Sequence, residues 1–220
     1  MRLTHKAGEK VFVDYAGHAV PVVDPQTGDV RQAQIFIRVL GATNYSYVEA
    51  QWTQELPNWV GGRVRMFGFF GGVPENVVPD NLKAGVKHAC RYEPDLNPTD
   101  QDMAEHHSVA VIPARSRKPK DKAKAEVGVQ VAERWILARL RNRTFVGLAD
   151  LNQAISELLE PLNERPMEHL GRSRREFFEL LDRPALRPLP EQPHEFAVWK
   201  RARVNIDYHI QFGKHYYSVP

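Results

Sequence analysis

The amino-terminal part of the chain consists of short runs of Val, Ile, Phe and Tyr separated by turn residues. Residues 10–23 are rich in Val and Phe, with an irregularity expected at Gly17, and the segment 24–28 has the Pro and Gly placement of a turn. The apolar runs over 34–40 and 45–52 are typical of two further strands. The pattern therefore predicts that the fold begins with a series of strands.

After these strands, apolar residues recur at helical spacing. This spacing predicts a helix over 54–69, then a short strand over 76–79 that ends because proline lacks a backbone donor. A helix over 99–107, a strand over 109–113 and a long helix over 121–141 follow. Strands first, and then helices alternating with strands, predict an α/β fold with a mixed sheet flanked by helices.

The carboxyl-terminal third has a different pattern. Helices are predicted over 148–162 and 173–181, and Ser173 with Glu176 forms the sequence signature of a capping box. A proline-rich segment then precedes an apolar/polar alternation over 204–212 and a second short run over 215–219, which together predict a β-hairpin. Because two strands alone are marginally stable in water, we interpret the hairpin as part of a small β-domain that the chain truncates.

Composition narrows the class of protein only modestly. The 220 residues can bury a sizeable core, and the formal net charge of +3 is a weak argument for a nucleic-acid partner. A single cysteine, Cys90, excludes an intrachain disulfide. The sequence has no apolar run long enough to span a bilayer, and its amino-terminal residues lack the apolar region of a signal peptide. We expect a soluble protein of the cytoplasm.

Three acidic residues lie in contexts that suggest a shared chemistry. Asp14 interrupts an apolar run, Asp80 ends another, and Glu126 follows a basic stretch. A carboxylate at a buried strand is costly unless a cation is close to it. Two divalent metal ions held between such carboxylates would supply that cation, and they can clamp the attacking and leaving oxygens of a phosphodiester.

Each of these residues also has a purely structural interpretation. Asp14 could cap the bend at Gly17, Asp80 could form an Asx turn, and Glu126 could pair with Lys122 four residues earlier on a helix. Taken singly, each structural interpretation is at least as good as the catalytic one. Taken together, in this order and in these contexts, the three acids favour a metal site.

The same segments resemble a known family. Phe12-Val13-Asp14-Tyr15-Ala16-Gly17, Val78-Pro79-Asp80-Asn81-Leu82-Lys83-Ala84 and Lys122-Ala123-Lys124-Ala125-Glu126 are similar to the catalytic core of IstA-type bacterial insertion-sequence transposases. These are DDE transposases of the retroviral-integrase-like, RNase H-like group. The resemblance runs from about Gly8 to the end of the chain, and the motifs occur in the family's order.

The resemblance implies a function and an organisation. It implies a DNA transposase that binds two Mg²⁺ ions, or Mn²⁺ in their place, through Asp14, Asp80 and Glu126, and acts on transposon-end and target DNA with an AAA+ helper ATPase, as a homo-oligomer. It divides the chain into an RNase H-like catalytic core (1–146), a helical extension (147–183), a proline-rich linker (184–194) and the first hairpin of a small β-barrel (195–220).

The chain departs from the wider integrase group near the third acid. The 46 positions between Asp80 and Glu126 are more than is usual, and Asp121 and Glu133 are rival candidates for the third ligand. Asp121 is explained by the favourable dipole at a helix start. Related integrases often carry a basic residue one or two turns after the Glu, where this chain has Gln130 and Glu133. Arg134 is adjacent but is expected to point elsewhere.

A cluster of basic residues precedes Glu126. Charge runs are most often solvated surface, but next to an active-site acid the group would hold DNA phosphates and make binding depend steeply on salt. The residues predicted to contact DNA are Arg115, Arg117, Lys118, Lys120, Lys122 and Lys124.

Other chemistries have less support. The histidines and Cys90 do not show the spacing of a structural zinc site, and no nucleophile motif surrounds the cysteine. Two alternatives to a transposase stay open: an RNase H-like nuclease that cleaves without strand transfer, and a DNA-binding relic without activity. An assay for joined DNA products separates the first from a transposase.

Overall fold

The computed structural model describes residues 5–79, 97–112, 119–168, 170–197, 202–206, 208–212 and 214–218, and for residues 119–125 the backbone alone. The strands are β1 (Lys10–Tyr15), β2 (Val20–Val23), β3 (Val30–Leu40), β4 (Ser46–Gln51), β5 (Asn76–Pro79), β6 (Ala110–Val111), β7 (His209–Phe212) and β8 (His215–Ser218). The α-helices are α1 (Leu56–Phe70), α2 (Pro98–His106), α3 (Pro119–Ala132), α4 (Ala138–Leu140), α5 (Gly147–Glu164), α6 (Arg174–Phe177) and α7 (Arg183–Ala185).

The first six strands form one mixed sheet with β1 at its centre. β1 pairs antiparallel with β3 and parallel with β5, and β5 pairs parallel with β6. β4 lies on the outer side of β3. β1 and β2 both pair with β3, one after the other along its length. They are separated by an interruption that contains Gly17, as predicted. The predicted mixed sheet flanked by helices is confirmed.

Helices cover the two faces of this sheet. On one face, Val11 and Val13 of β1 pack in a buried cluster with Trp59 and Phe67 of α1 and with Met103 of α2. On the other face, the buried residues of β3 and β4 form a cluster with residues of α3, α5 and the segment between them, among them Ile35, Ile37, Val48, Ala132, Ile136 and Leu159. Successive residues of a strand point to opposite faces, so the central strands are apolar on both sides.

The predicted helix over 121–141 is a continuous helical segment with an internal change of pitch. α3 begins at Pro119, earlier than expected, and is followed by a π-helical turn, π1 (Glu133–Leu137), and then by α4. Proline suits a helix start because its missing N–H is not needed there. In π1 the Ala138 N–H donates to the Glu133 carbonyl five residues earlier. The π turn is not visible in a pattern of apolar residues.

α5 closes the open edge of the sheet. The side-chain amide of Asn152 donates to the Ala50 carbonyl at 3.0 Å and accepts from the Ala50 N–H at 2.7 Å. Asn163, three turns further along α5, makes the same pair of hydrogen bonds to Ser46, at 2.9 and 3.1 Å. The outward backbone groups of Ala50 and Ser46 are thereby satisfied, and the helix protects a strand that could otherwise pair with another chain.

The segment that follows α5 begins with the predicted capping box. Ser173 accepts from the Glu176 N–H at 3.1 Å, and Glu176 accepts from the Ser173 N–H at 2.6 Å. α6 then passes into a second π-helical turn (Phe178–Asp182), and Asp182 accepts from the Gly8 N–H at 2.8 Å. The hydrogen bond between Asp182 and Gly8 joins the helices after α5 to the start of the chain.

The proline-rich segment runs back along the core. Arg187 and Val73 exchange two backbone hydrogen bonds, of 2.8 and 2.9 Å. Beyond it, β7 and β8 form the predicted hairpin, with Phe212 opposite His215. The strand predicted from residue 204 is wrong in its first half, because β7 begins only at His209. A tight turn in which the Tyr208 N–H donates to the Asn205 carbonyl replaces it.

The four-part division of the chain and the interpretation of the hairpin as the start of a barrel stay predictions. No helix among the described residues is long and apolar enough to cross a membrane.

Two glycines in helices allow a test of how α3 is seated on the sheet. Gly128 of α3 faces Val39 of β3 so closely that a Cβ at this position would overlap the valine methyl groups. Gly68 of α1 is exposed and has open space around it. We expect Gly128→Ala to lower the free energy of unfolding by roughly 1–2 kcal/mol, because overpacking outweighs the gain in helix propensity. Gly68→Ala should raise it by up to about 1 kcal/mol.

Denaturant unfolding measures both changes. Adding Val39→Ala to Gly128→Ala should recover part of the loss, as a coupling energy of about 0.5 kcal/mol or more in a double-mutant cycle. Equal effects of Gly128→Ala and Gly68→Ala would contradict close packing of α3 on β3.

Candidate functional site

Asp14 lies near the end of the central strand. It pairs with Ile37 of β3, so its side chain is on the same face of the sheet as Ile37 and as helix α3. The residue is half-buried, and its Oδ1 accepts from the Tyr15 N–H at 2.8 Å. This hydrogen bond fixes one carboxylate oxygen at the point where β1 ends.

β5 ends beside β1. The two strands run parallel, and their register pairs Lys10 with Asn76 and Val13 with Pro79. Parallel neighbours bring their carboxyl ends to the same edge of a sheet, which is where α/β proteins place their ligands. Asp80, the residue after Pro79 in the sequence, lies outside the described residues.

Helix α3 carries the third predicted acid over the same face. The helix contacts β1 and β3, and Gly128 rests on Val39. Glu126 lies two residues before Gly128, and its side chain is exposed. The structure thus brings Asp14 and the helix of Glu126 to one side of the sheet.

Glu133, a rival for the third ligand, has a structural contact. Its Oε1 accepts from the Gly17 N–H at 3.3 Å, across the interruption that follows β1. Glu126 and Glu133 are seven residues apart, two turns of α-helix, so both lie on one side of α3, separated by about 10 Å at about 1.5 Å per residue. Of Asp121, the other rival, the structure describes only the backbone, inside α3.

The predicted basic stretch is described in part. Arg115, Arg117 and Lys118 lie outside the described residues, while the backbone of Lys120, Lys122 and Lys124 forms the first turns of α3. The helical part of the stretch therefore leads directly to Glu126.

Tyr15 is the neighbour of Asp14 on the opposite face of the sheet. Its hydroxyl donates to Gln51 Oε1 at 2.9 Å, and its ring packs against Phe36 and Trp59 at centroid distances of 5.0 and 6.2 Å. Burial raises the pKa of Tyr15 to about 12. The phenol is therefore neutral at physiological pH and keeps its proton in the hydrogen bond to Gln51.

The face of Tyr15 also contains buried charges that the sequence analysis did not anticipate. Arg63 of α1 and Asp100 of α2 form a fully buried ion pair, and Glu49 of β4 pairs with Arg65 at 2.8 Å. Burial lowers the pKa of Arg63 to about 9. Burial raises the pKa of Glu49, but the hydrogen bond from Arg65 and the charge of Arg38 outweigh that effect and leave the pKa lowered. In the sequence, such buried charges are indicated by a charged residue inside an apolar run, as Arg38 is in β3.

Three histidines come together at the end of α2. The ring centroids of His106 and His107 are 4.9 Å apart, and the ring of His194 lies 5.3 Å from that of His106. His194 also approaches Asp102, with Nε2 and Oδ2 3.3 Å apart. Nevertheless, in the part of the chain that the structure describes, no three His, Cys, Asp or Glu side chains are placed to hold a metal ion. Asp80 is not among those residues.

Comparison with known proteins gives relatives over the whole chain. A protein of Sinorhizobium fredii named as a transposase is 54% identical over 219 residues, which cover 100% of this chain and 42% of the relative. A protein of Burkholderia multivorans named as a transposase of insertion sequence IS408 is 52% identical, with the same coverage of 100% and 42%. The transposase of IS21 from Pseudomonas aeruginosa is 25% identical and covered to 53%. The chain thus spans about two fifths to one half of the length of these relatives. No protein-family model matches it.

Solved structures show the same fold at low identity. The HTLV-2 integrase catalytic core domain in complex with magnesium matches with a TM-score of 0.53 and 12% identity, over 79% of this chain and 97% of the integrase domain. A chain of the simian T-cell lymphotropic virus intasome, solved in complex with PP2A regulatory subunit B56 gamma, matches with a TM-score of 0.60 and 12% identity. That match covers 87% of this chain and 60% of the other.

These comparisons confirm the resemblance that the three sequence motifs indicated. The chain is related over its whole length to bacterial insertion-sequence transposases, and its core has the RNase H-like fold of a retroviral integrase catalytic domain.

Proposed function

We propose that the chain is the catalytic domain of a DNA transposase that cleaves the 3′ ends of transposon DNA and joins them to target DNA. The observation that carries the proposal is the position of Asp14. It lies on the central strand, beside the end of β5 and on the face covered by α3, in a fold shared with integrase catalytic cores. Relatedness to transposases over the whole chain supports a DNA substrate.

The proposed metal ligands are the carboxylates of Asp14, Asp80 and Glu126. Carboxylate oxygens are the ligands that Mg²⁺ prefers, and Mn²⁺ accepts the same donors. The half-buried position of Asp14 at a strand end fits this assignment, because a carboxylate held there is stabilised by a cation. When bound, two such ions lower the pKa of an attacking water or hydroxyl and stabilise negative charge on the phosphate.

The chain's own residues orient the site. The Tyr15 N–H holds one oxygen of Asp14, and the Gly17 N–H holds Glu133, which fixes α3 against the segment after β1. Tyr15 contributes no proton, because its hydroxyl is buried and committed to Gln51. Orientation of this kind is what a phosphoryl transfer without a covalent enzyme intermediate requires.

The basic stretch is the proposed contact for phosphates near the metals. Lys120, Lys122 and Lys124 lie on the first turns of the helix that bears Glu126, and Arg115, Arg117 and Lys118 precede them in the sequence. Cations placed there would hold the DNA backbone and make binding fall with salt. An AAA+ helper ATPase and a second copy of the transposase are the further partners that the resemblance supports.

Replacing the strand acids tests the catalytic assignment. We expect Asp14→Asn and Asp80→Asn each to reduce cleavage and joining of a labelled transposon-end duplex by about a hundredfold or more, since a metal ion supplies several kcal/mol of transition-state stabilisation. DNA affinity should stay nearly unchanged, because neither residue is a proposed phosphate contact. Substantial activity in either variant would contradict the assignment. Cleavage without joined products from the wild-type chain would support a nuclease instead.

Thermal unfolding gives a test that does not depend on activity. Metal bound to the folded chain should raise its melting temperature, by the equivalent of about 2.7 kcal/mol when the ion is at 100 times its dissociation constant. Mn²⁺ or Mg²⁺ should have this effect on the wild-type chain and little effect on Asp14→Asn. Asp29→Asn, at an exposed turn residue, is the control and should behave as wild type. Equal metal-induced shifts in both variants would exclude Asp14 as a ligand.

The third ligand is tested by three conservative changes. We expect Glu126→Gln to abolish Mg²⁺-dependent joining, whereas Glu133→Gln should remain active because glutamine can still accept from the Gly17 N–H. Asp121→Asn should also remain active. A metal ligand must approach its ion to about 2 Å, so residues two turns apart cannot replace each other. An active Glu126→Gln beside an inactive Glu133→Gln would move the assignment to Glu133.

A further inference from the structure

A groove rich in arginine lies away from the proposed metal site. It runs between π1, the end of α5 and the turn that leads to α6, and it encloses about 490 Å³. Neither Asp14 nor Glu126 lines it. The charged residues that do are Arg134, Arg139, Arg165, Arg174 and Glu168, so the groove has a strong excess of positive charge.

Trp135 forms an aromatic platform inside this arginine groove. Its Nε1 donates to the Leu158 carbonyl at 3.1 Å, which fixes the ring. The guanidinium carbon of Arg139 lies 3.7 Å from the ring centroid, and that of Arg165 lies 5.2 Å from it. Nη1 of Arg139 also donates to the Trp135 carbonyl at 2.7 Å, so the other N–H groups of its guanidinium are the donors left for a ligand.

The π-helical turn lies next to two of the four arginines of the groove, Arg134 and Arg139. Residues three or four apart lie on one side of an α-helix, whereas in a π turn the backbone hydrogen bond joins residues five apart. Ala138 and Glu133 make such a bond in π1. The wider turn brings Arg134 and Arg139, which are five apart, to the same groove. A regular helix would have directed them to different sides.

In the part of the chain that the structure describes, no salt bridge offsets the positive charge of the groove. Among the described residues no acidic side chain forms a salt bridge with Arg134, Arg139, Arg165 or Arg174. Burial, and then the positive charge of Arg165, lower the pKa of Arg174. Arg174 is held in place by a hydrogen bond from Nη1 to the Leu162 carbonyl at 3.0 Å. An anion in the groove would relieve this repulsion.

We infer that the arginine groove binds the phosphodiester backbone of DNA, as a contact separate from the basic stretch before Glu126. The inference rests on the proposed function for the identity of the polyanion. Arginine matches phosphate oxygens with paired N–H donors, and four arginines in one groove can contact neighbouring phosphates of a backbone. The occupant is therefore a nucleic-acid backbone, the polyanion that the proposed function supplies, and not an acidic protein segment.

Paired charge removals test the inference with the 220-residue chain. Arg134→Gln with Arg165→Gln removes two charges from the groove, and Arg141→Gln with Arg172→Gln removes two exposed charges outside it. Dissociation constants are measured by fluorescence anisotropy over a range of KCl for a duplex and for its single strand.

The groove pair should bind DNA about tenfold or more weakly than wild type at low salt. Its log–log salt slope should become shallower by roughly 2, near 0.9 per lost phosphate contact on duplex DNA. The control pair should stay within about twofold of wild type.

The outcomes separate the groove from the rest of the proposal. Wild-type affinity and slope in the groove pair, or equal losses in both pairs, would overturn the inference. It would also be overturned if a polyglutamate peptide bound more tightly than DNA and lost that binding in the groove pair. A larger loss for the duplex or for the single strand supports it and identifies the form bound. Because phosphates carry no sequence information, transposon-end and unrelated duplexes should be affected alike.

Failure of the groove and failure of the catalytic proposal give different results. If Asp14→Asn is inactive while the groove pair binds DNA normally, only the groove is wrong. If Asp14→Asn is active while the groove pair binds weakly, only the metal site is wrong. The melting temperatures of both double variants should match wild type. If that of the groove pair is lower, the binding test is repeated with Arg134→Gln alone, because Arg134 is exposed.

Discussion

The parallel pairing of β1 with β5 is the constraint on which the rest of the structure depends. These strands lie side by side at the centre of the sheet, and Val13 opposite Pro79 is their last described pair. A parallel pair cannot be joined by a tight turn, so the chain between them must cross over through β3, β4 and α1. That crossover builds one covered face of the sheet and leaves the other for α3. Asp14 thereby lies near the carboxyl end of the central strand, on the face that α3 covers.

The helical segment from Pro119 to Leu140 connects the proposed metal site with the proposed DNA-binding groove. Its α-helical part lies across β1 and β3, where the missing side chain of Gly128 permits close approach to Val39. Glu133, at the first position of the π turn, accepts from the Gly17 N–H, while Arg134 of the turn and Arg139 of α4 line the groove. The change of pitch thus occurs where the helix passes from the proposed metal site to the arginine groove. Π-helical turns are frequent at functional sites, because they redirect side chains within a helix.

Buried polar contacts hold the elements around this centre. The Arg63–Asp100 ion pair ties α1 to α2, and the amides of Asn152 and Asn163 tie α5 to the edge of β4. Buried polar pairs contribute little net stability compared with apolar packing. Removing one partner is costly, because the other is left buried without a partner, and so these pairs specify which elements meet. The α5 contacts also show that residues after 146 share a hydrophobic cluster with the sheet.

The sequence by itself determined the kind of fold and the resemblance to insertion-sequence transposases. Apolar periodicity and turn residues predicted the strands of the sheet, most helices and the capping box of Ser173, because these features depend on local backbone preferences and on burial of one face. The acids at Asp14, Asp80 and Glu126 indicated the family because their contexts are short and local. Only the tertiary structure decided which residues meet across the chain. The register of β1 with β5, the hydrogen bond between Glu133 and Gly17, and the buried pair of Arg63 with Asp100 join positions far apart in sequence. The arginine groove also depends on a π turn that no periodic pattern reveals, since its geometry follows from packing between helices and not from local propensity.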